Sequence, residues 1–181
     1  MELVPDFRPR TPEGDDRARL VCGHCGFVDY VNPRIVVGSV VSWTASSEAP
    51  RILLCRRAIE PRRGFWTLPA GYLETGEAVR AGAAREAREE ACCEIAVDAL
   101  LAVYDIPRIS QVQLMFRATL AAPTFAAGVE SLEVGLYGWE EIPWGELAFP
   151  SVGWALNHWR ETFWQAAFVP FTAPEGDHRL G

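Results

Sequence analysis

The chain has 181 residues, of which 49% are hydrophobic and 23% are charged. This length fits one domain with a small appendage, and the composition excludes wholesale disorder. Acidic side chains number 24 against 17 basic ones, so the net charge is −7. That balance argues against binding long nucleic acid, which requires cations to neutralise phosphates. It allows small phosphorylated ligands, because a few arginines and metal ions can reverse the charge locally.

The sequence carries no features of membrane insertion or secretion. No apolar run reaches the ~18 residues of a membrane span. The first six residues are acidic and interrupted by proline, unlike a signal peptide. The five cysteines are an odd number, which favours free thiols in a reducing compartment over a disulfide framework. We therefore expect a cytoplasmic protein.

The first part of the chain predicts an appendage followed by strands. Residues 1–33 are polar and punctuated by proline, so we expect an irregular arm or small appendage there. β-branched and apolar runs then predict strands at 35–43 and 52–57, with a short interrupted strand at 66–71.

The middle and end of the chain add two helices to further strands. Residues 77–94 are rich in Ala, Glu and Arg, which predicts a helix with Thr75 as its N-cap. Helical spacing of apolar residues predicts a second helix at 151–166, and we expect a loose tail from Thr172. Three more strands are expected between the helices, at 99–104, 112–120 and 132–139. This order favours an α/β sandwich.

The predicted central helix carries a cluster of carboxylates. Glu86, Glu89 and Glu90 fall within an arc of roughly 100° on a helix, where each like-charge pair costs roughly 0.2–0.5 kcal/mol. A solvated helix face is the ordinary interpretation of such a pattern. A bound Mg²⁺ is the alternative, since this ion takes carboxylates together with substrate phosphates. The glycine-containing strand end and tight loop before the helix favour a ligand pocket.

This block resembles the Nudix box, G-x5-E-x7-R-E-U-x-E-E-x-G-U, where U is aliphatic. Cys92 stands where the pattern has glycine, and Cys93 takes the final hydrophobic position. Cys92 lies at the helix end, so we expect it to change the helix exit and not the chemistry. The other fixed positions are met in register, by Gly71, Glu77, Arg85, Glu86, Ala87, Glu89 and Glu90.

The resemblance extends over about residues 12–170 and indicates the Nudix hydrolases with an N-terminal zinc ribbon. This subgroup is similar to the plant plastid enzyme that hydrolyses FAD and ADP-ribose. The resemblance implies an α/β/α sandwich with a mixed central sheet at residues 34–170. It also implies an arm like a degenerate zinc ribbon at 1–33, a tail at 171–181 and a homodimer.

The resemblance also assigns roles to residues. It implies Mg²⁺ or Mn²⁺ held by the Ala70 carbonyl and by the box carboxylates, with Arg85 orienting a box glutamate and Glu77 structural. An acidic ligand outside the box is also expected, with Glu133 as first choice and Glu130 as second. Glu86 is the candidate general base. The catalytic set is then Glu86, Arg85 and Glu133, and the metal set is Ala70, Glu86, Glu89, Glu90 and Glu133.

Substrate contacts are expected next to these residues. Arg56 and Arg57 end a strand that runs toward the box and could support phosphates, although exposed charges at a strand end are an equal alternative. The resemblance places a loop at 107–111 that helps to select the substrate, by analogy only. Most aromatic side chains are core, but an adenine or flavin ring needs walls, for which the candidates are Trp43, Trp66, Tyr104, Phe116 and Trp139.

Cys22 and Cys25 form half of a zinc ribbon. Structural zinc is nearly always bound by four ligands, yet no cysteine precedes Cys22 and only His24 is nearby. The resemblance places another knuckle upstream of Pro12, so either that knuckle has been lost or the natural start lies upstream of Met1. We therefore expect these two residues to be, at best, a weak zinc site, or two thiols on a knuckle-like turn.

The function expected from the resemblance is metal-dependent hydrolysis of a nucleoside diphosphate linked to another group. FAD and ADP-ribose are the favoured substrates, giving AMP plus the other phosphate half. NADH or another dinucleotide is the nearest alternative substrate. A non-catalytic module that binds such a nucleotide is the competing class. Hydrolysis of capped RNA is weaker, because the acidic charge disfavours long RNA.

Overall fold

The computed structural model describes residue 4, residues 6–45 and residues 49–175. The chain divides into two compact units, Met1–Pro33 and Arg34–Gly181. Among the described residues, no helix is long and apolar enough to cross a membrane.

The first unit contains a three-stranded antiparallel sheet in the order β1-β2-β3. Its strands are β1 (Phe7–Arg10), β2 (Arg19–Cys22) and β3 (Val28–Asp29). A tight turn joins the last two strands, with Gly26 at φ +75° and its N–H donating to the Cys22 carbonyl at 2.9 Å. The expectation of an irregular arm is therefore wrong, although the unit is a small appendage. Strands this short, one carrying proline, have no usable alternation of apolar residues.

The second unit is built on an eight-stranded mixed sheet. The path β10-β5-β4-β9-β8-β11 is extended by β6 on β5 and β7 on β4. The β4–β9 and β8–β11 pairs are parallel, and the other pairs are antiparallel. The strands are β4 (Arg34–Trp43), β5 (Arg51–Arg57), β6 (Trp66–Thr67), β7 (Ala70–Tyr72), β8 (Ile95–Ile106), β9 (Gln111–Leu120), β10 (Ser131–Tyr137) and β11 (Phe171–Thr172).

Two helices cover opposite faces of this sheet, α1 (Val79–Ala91) and α2 (Pro150–Thr162). Successive strand residues point to opposite faces. Leu54 of β5 accordingly packs in one buried cluster with Leu156 of α2, while its neighbour Leu53 packs in another with Ala87 of α1. The predicted α/β/α sandwich with a mixed sheet is confirmed.

Helix α1 begins and ends inside its predicted limits. The prediction of Thr75 as N-cap is wrong, because Ala78 occupies that position and makes no side-chain cap. The preceding turn is closed instead by Glu77, whose carboxylate accepts the Glu74 N–H at 3.2 Å. At the other end, Cys92 takes a left-handed conformation with φ +47° and stops the helix. Glycine adopts this conformation without strain. Cys92 therefore occupies a position whose backbone conformation favours glycine.

Other boundaries also differ from the predictions. Strand β8 is longer at both ends, since its pairing with β9 runs from Ile95 to Ile106. Strand β10 ends at Tyr137, and a 3-10 turn, Trp139–Glu141, follows it. Helix α2 ends at Thr162. The tail expected to be loose from Thr172 begins with a residue of β11, which pairs with Val103, and residues 176–181 lie outside the described part.

Candidate active site

The box carboxylates face a cavity of about 1000 Å³ in the second unit. Strand β7, the following loop and α1 supply one wall, which includes Ala70, Gly71, Arg85 and the three box glutamates. Gly71 approaches Glu86 so closely that a Cβ at position 71 would overlap the Glu86 carboxylate. The first box position must therefore be glycine for this carboxylate to sit beneath the strand.

Arg85 organises the carboxylates of the box. Its Nη1 donates to Glu86 Oε1 at 2.7 Å and to Glu89 Oε2 at 2.8 Å. Its Nε donates to Glu77 Oε1 at 2.9 Å, and its Nη2 donates to the Tyr72 carbonyl at 2.9 Å. The hydrogen bond from Arg85 holds the pKa of Glu77 below its ordinary value. One guanidinium group thus ties the loop, the strand end and two box glutamates together.

Glu90 lies deepest in this wall. Glu90 is 6% exposed, and its Oε2 accepts the Ala70 N–H at 3.2 Å. Burial raises the pKa of Glu90 to about 8, and the charges of Glu86 and Glu130 add to this rise. Burial also raises the pKa of Glu86, although Arg85 opposes the rise. Both carboxyl groups therefore keep a proton to higher pH than an exposed glutamate does.

The chain matches the NUDIX domain family over residues 33–128. It belongs to the Nudix family. A second match, to the N-terminal region of Nudix proteins with a zinc ribbon, covers residues 6–31.

Individual relatives agree with this assignment. A crystal structure of a NUDIX hydrolase from Nitrosomonas europaea is 42% identical, with a TM-score of 0.84 over 93% of this chain and 94% of that one. An ADP-ribose pyrophosphatase of Methanocaldococcus jannaschii is 28% identical over 66% of this chain and 69% of its own length. A Streptococcus suis ADP-ribose pyrophosphatase of 16% identity shares the fold, with a TM-score of 0.63 over 78% of this chain and 99% of that one. The chain is therefore a Nudix diphosphatase related to ADP-ribose pyrophosphatases.

The Nudix site includes Glu130 at the cavity, whereas Glu133 is absent from the described residues that line it. Glu133 is exposed and pairs with Arg56 at 3.7 Å. Its strand has a register irregularity between Ser131 and Glu133. Of the two acidic candidates outside the box, Glu130 is therefore the one that borders the described cavity.

The two predicted arginines also have different surroundings. Arg57 lines the cavity, lies 5.3 Å from the Phe149 ring centre and donates to the Pro61 carbonyl at 2.8 Å. Arg56 and Trp66 are absent from the described lining residues. Arg56 donates to the Gly64 carbonyl and stacks 5.9 Å from Trp66. Of the three predicted substrate contacts, Arg57 alone borders the described cavity.

Aromatic residues at the Nudix cavity differ from those proposed as ring walls. Tyr104 and Phe116 are 0% and 2% exposed, and Trp43 and Trp139 pack against the buried clusters. Phe149 and Trp154, at the start and in the middle of the α2 region, line the cavity instead. Trp154 lies outside the helically spaced apolar positions Val152, Leu156, Trp159 and Phe163, so nothing in the sequence pattern distinguished it.

A divalent ion suits the donors of this Nudix site. Within the described residues, no three His, Cys, Asp or Glu side chains converge closely enough to hold a metal ion. In α1 the guanidinium group of Arg85 lies between Glu86 and Glu89, so binding requires a carboxylate to turn away from it. Hard carboxylate oxygens are nevertheless the ligands that Mg²⁺ prefers, and the buried Glu90 lacks a cation at hydrogen-bond distance in the described structure.

The Nudix N-terminal unit contains one knuckle, with Cys22 partly buried and Cys25 exposed. Hydrogen bonds from the Cys25 and His24 backbone to the sulfur lower the pKa of the Cys22 thiol. Described residues provide no group of three or more zinc-ligating side chains here. A four-ligand zinc site is thus not formed by the described part of this unit.

Proposed function

We propose that this Nudix protein hydrolyses a nucleoside diphosphate linked to another moiety, with FAD or ADP-ribose as substrate. The products are AMP and the other phosphate half. The observation that carries the proposal is the wall of box carboxylates, with Glu90 buried and Arg85 bridging its neighbours, beside a cavity of about 1000 Å³. The similarity to an ADP-ribose pyrophosphatase supports the substrate class.

Charge is the central difficulty of this reaction. A diphosphate diester carries two negative charges, and the cavity wall adds those of the box glutamates. Mg²⁺ or Mn²⁺, bound by Glu86, Glu89, Glu90 and the Ala70 carbonyl, would supply positive charge and acidify the attacking water. Arg57 would place a further positive charge at the phosphates from the β5 side.

Glu86 is our candidate for the group that takes the proton from water. Glu86 is 7% exposed, and burial raises its pKa, which suits a general base. Arg85 would orient this carboxylate and prevent it from rotating freely. Glu130 would be the acidic group outside the box, because it borders the cavity and acts electrostatically on Glu86 and Glu90.

The size of the cavity supports a dinucleotide-like substrate. Pockets for small molecules span roughly 300–1000 Å³, and this cavity is at the upper end of that range. Phe149 and Trp154 add apolar and aromatic walls. NADH and other dinucleotides have the same general size, so the test must compare them directly.

The test is turnover of FAD, ADP-ribose, NADH and a capped dinucleotide with Mg²⁺ or Mn²⁺, with products resolved by chromatography. We expect AMP as a product and no turnover with a chelator. Glu86→Gln and Glu90→Gln should each lose at least 100-fold in kcat, since metal and base are removed. Glu146→Gln, on the 3-10 turn Trp144–Glu146, is the matched control. No turnover by folded wild-type protein that binds these nucleotides would refute hydrolysis and favour a binding module.

We also propose that the protein is a homodimer and that it is cytoplasmic. Light scattering after gel filtration tests the first. A mass of two chains of 20.1 kDa each is the expected result.

A further inference from the structure

One end of the cavity is lined by uncharged polar side chains that the proposed chemistry does not use. Three neighbouring strands bring these residues together, because Val36 of β4 pairs with both Tyr72 of β7 and Gln113 of β9. We call this end the amide slot. It consists of Tyr72, Gln111 and Gln113, with Val36, Ile106 and Ile109 as apolar neighbours at the cavity surface.

The Tyr72 hydroxyl has a defined direction. Arg34 Nη1 donates to its oxygen at 3.0 Å, and Gln111 Nε2 donates to the same oxygen at 3.2 Å. Arginine can only donate, so the tyrosine oxygen acts as acceptor in this contact. With its oxygen occupied, the hydroxyl proton is available to a further acceptor. Tyr72 is 46% exposed, so a ligand in the cavity can supply that acceptor.

Gln113 offers a complementary pair of groups. Its Nε2 donates one hydrogen to Gln111 Oε1 at 3.4 Å. In the described residues, its second N–H and its Oε1 make no hydrogen bond. An amide with one donor and one acceptor side by side matches the edge of a nitrogen heterocycle, as glutamine matches the N6 and N7 of adenine.

We infer that the amide slot binds the edge of an uncharged nitrogen heterocycle of the substrate, with Gln113 pairing to it and Tyr72 donating a third hydrogen bond. This inference rests on the proposed function, because it concerns the ring of the same nucleotide. The flanking Val36, Ile106 and Ile109 provide the apolar contacts that a flat ring requires.

The slot is tied to the carboxylate wall through the backbone. The Tyr72 carbonyl accepts the Arg85 Nη2 hydrogen at 2.9 Å, and Arg85 holds Glu86 and Glu89. Tyr72, which would contact the ring, is thus the last residue of β7 and is hydrogen-bonded through its carbonyl to Arg85. This arrangement fixes the distance between ring recognition and bond cleavage.

The test compares Tyr72→Phe and Gln113→Glu with wild type. Loss of one neutral hydrogen bond should raise KM about tenfold for Tyr72→Phe, with kcat within about twofold. Gln113→Glu removes the donor and should raise KM further. Tyr30→Phe, in the first unit, is the matched control and should leave both constants unchanged.

Three inhibitors identify what the slot contacts. AMP and FMN carry rings, whereas ribose 5-phosphate carries only sugar and phosphate. Weaker inhibition by AMP or by FMN in Tyr72→Phe, with ribose 5-phosphate unchanged, supports the inference and names the ring. Unchanged inhibition by both nucleotides, or equal weakening of ribose 5-phosphate, overturns it.

Failure of the proposed function is distinguishable from failure of the slot. If wild-type protein hydrolyses no substrate, the proposed function fails, and calorimetric titration with AMP and FMN still tests the slot through the same variants. If wild-type protein is active and Tyr72→Phe and Gln113→Glu match it in KM, the slot alone fails.

Discussion

Replacement of the buried Glu90 by glutamine should stabilise the metal-free protein while abolishing activity. Burial raises the pKa of Glu90 from its ordinary 4.5 to about 8. A group with a raised folded-state pKa stabilises the fold fully below its unfolded pKa, and this contribution is lost as the pH rises through the folded value. Wild-type protein should therefore lose stability between about pH 4.5 and pH 8, because the Glu90 carboxyl must then ionise in its buried position.

The size of the effect follows from these two values. Each pKa unit corresponds to about 1.36 kcal/mol, so complete ionisation costs roughly 5 kcal/mol. Between pH 6 and pH 9 only part of this cost develops, so the unfolding free energy of wild type should fall by roughly 3 kcal/mol over that range. Glutamine cannot ionise, and its side-chain oxygen can still accept the Ala70 N–H. Its advantage over wild type should thus grow by roughly 3 kcal/mol across that pH range.

The measurement is chemical unfolding in chelator at pH 6, 7, 8 and 9, for wild type and Glu90→Gln. Glu89→Gln is the control, since Glu89 is exposed and its side chain retains 57% of its accessible surface. Added Mg²⁺ should stabilise wild type at pH 8 and leave Glu90→Gln unchanged. A pH-independent difference between Glu90→Gln and wild type would refute the reasoning.

Further predictions concern the arginine, the helix end and the glycine of the box. Arg85→Lys keeps the charge but loses the planar fork, so kcat should fall at least tenfold with native circular dichroism; unchanged kcat would contradict the bridging role. Cys92→Gly removes left-handed strain of about 1–2 kcal/mol, offset by about 0.4–1 kcal/mol of glycine entropy. A net gain of about 0.5–1 kcal/mol in unfolding free energy is expected, whereas Cys92→Ala, which keeps a Cβ, should gain none. Gly71→Ala would overlap Glu86 and should lower the melting temperature and remove activity; normal values of both would contradict the close packing. Metal analysis of purified protein should find less than one zinc per chain, because Cys22 and Cys25 are two ligands and structural zinc takes about four.

Patterns that repeat along the chain were predictable, and contacts between distant segments were not. The apolar run of β4 and the register of the box positions in α1 are local features, so the sheet, the helix and the carboxylate cluster could all be predicted. The partnership of Arg34 with Tyr72 depends on β7 pairing with β4, which no local pattern specifies.

Glu130 and Glu133 show the limit most clearly. They are three residues apart, yet Glu130 precedes β10 and borders the described cavity, whereas Glu133 lies within the strand and does not. The first unit was expected as an appendage at residues 1–33, but its strands were not predicted, for a different reason. Its strands have two to four residues, and apolar alternation cannot be recognised over so short a length.

The parallel pairing of β4 with β9 has a consequence for biosynthesis. Arg34 pairs with Gln111, and the pairing continues to Ser42 with Thr119. Ribosomes must therefore deliver nearly two thirds of the chain before the centre of the sheet can close, and such non-local pairing slows folding. Until β9 has been synthesised, the apolar residues of β4 lack their pairing strand. The nascent chain should therefore be most prone to aggregation just before β9 emerges. Production at lower temperature or with a chaperone should raise the soluble yield of this protein.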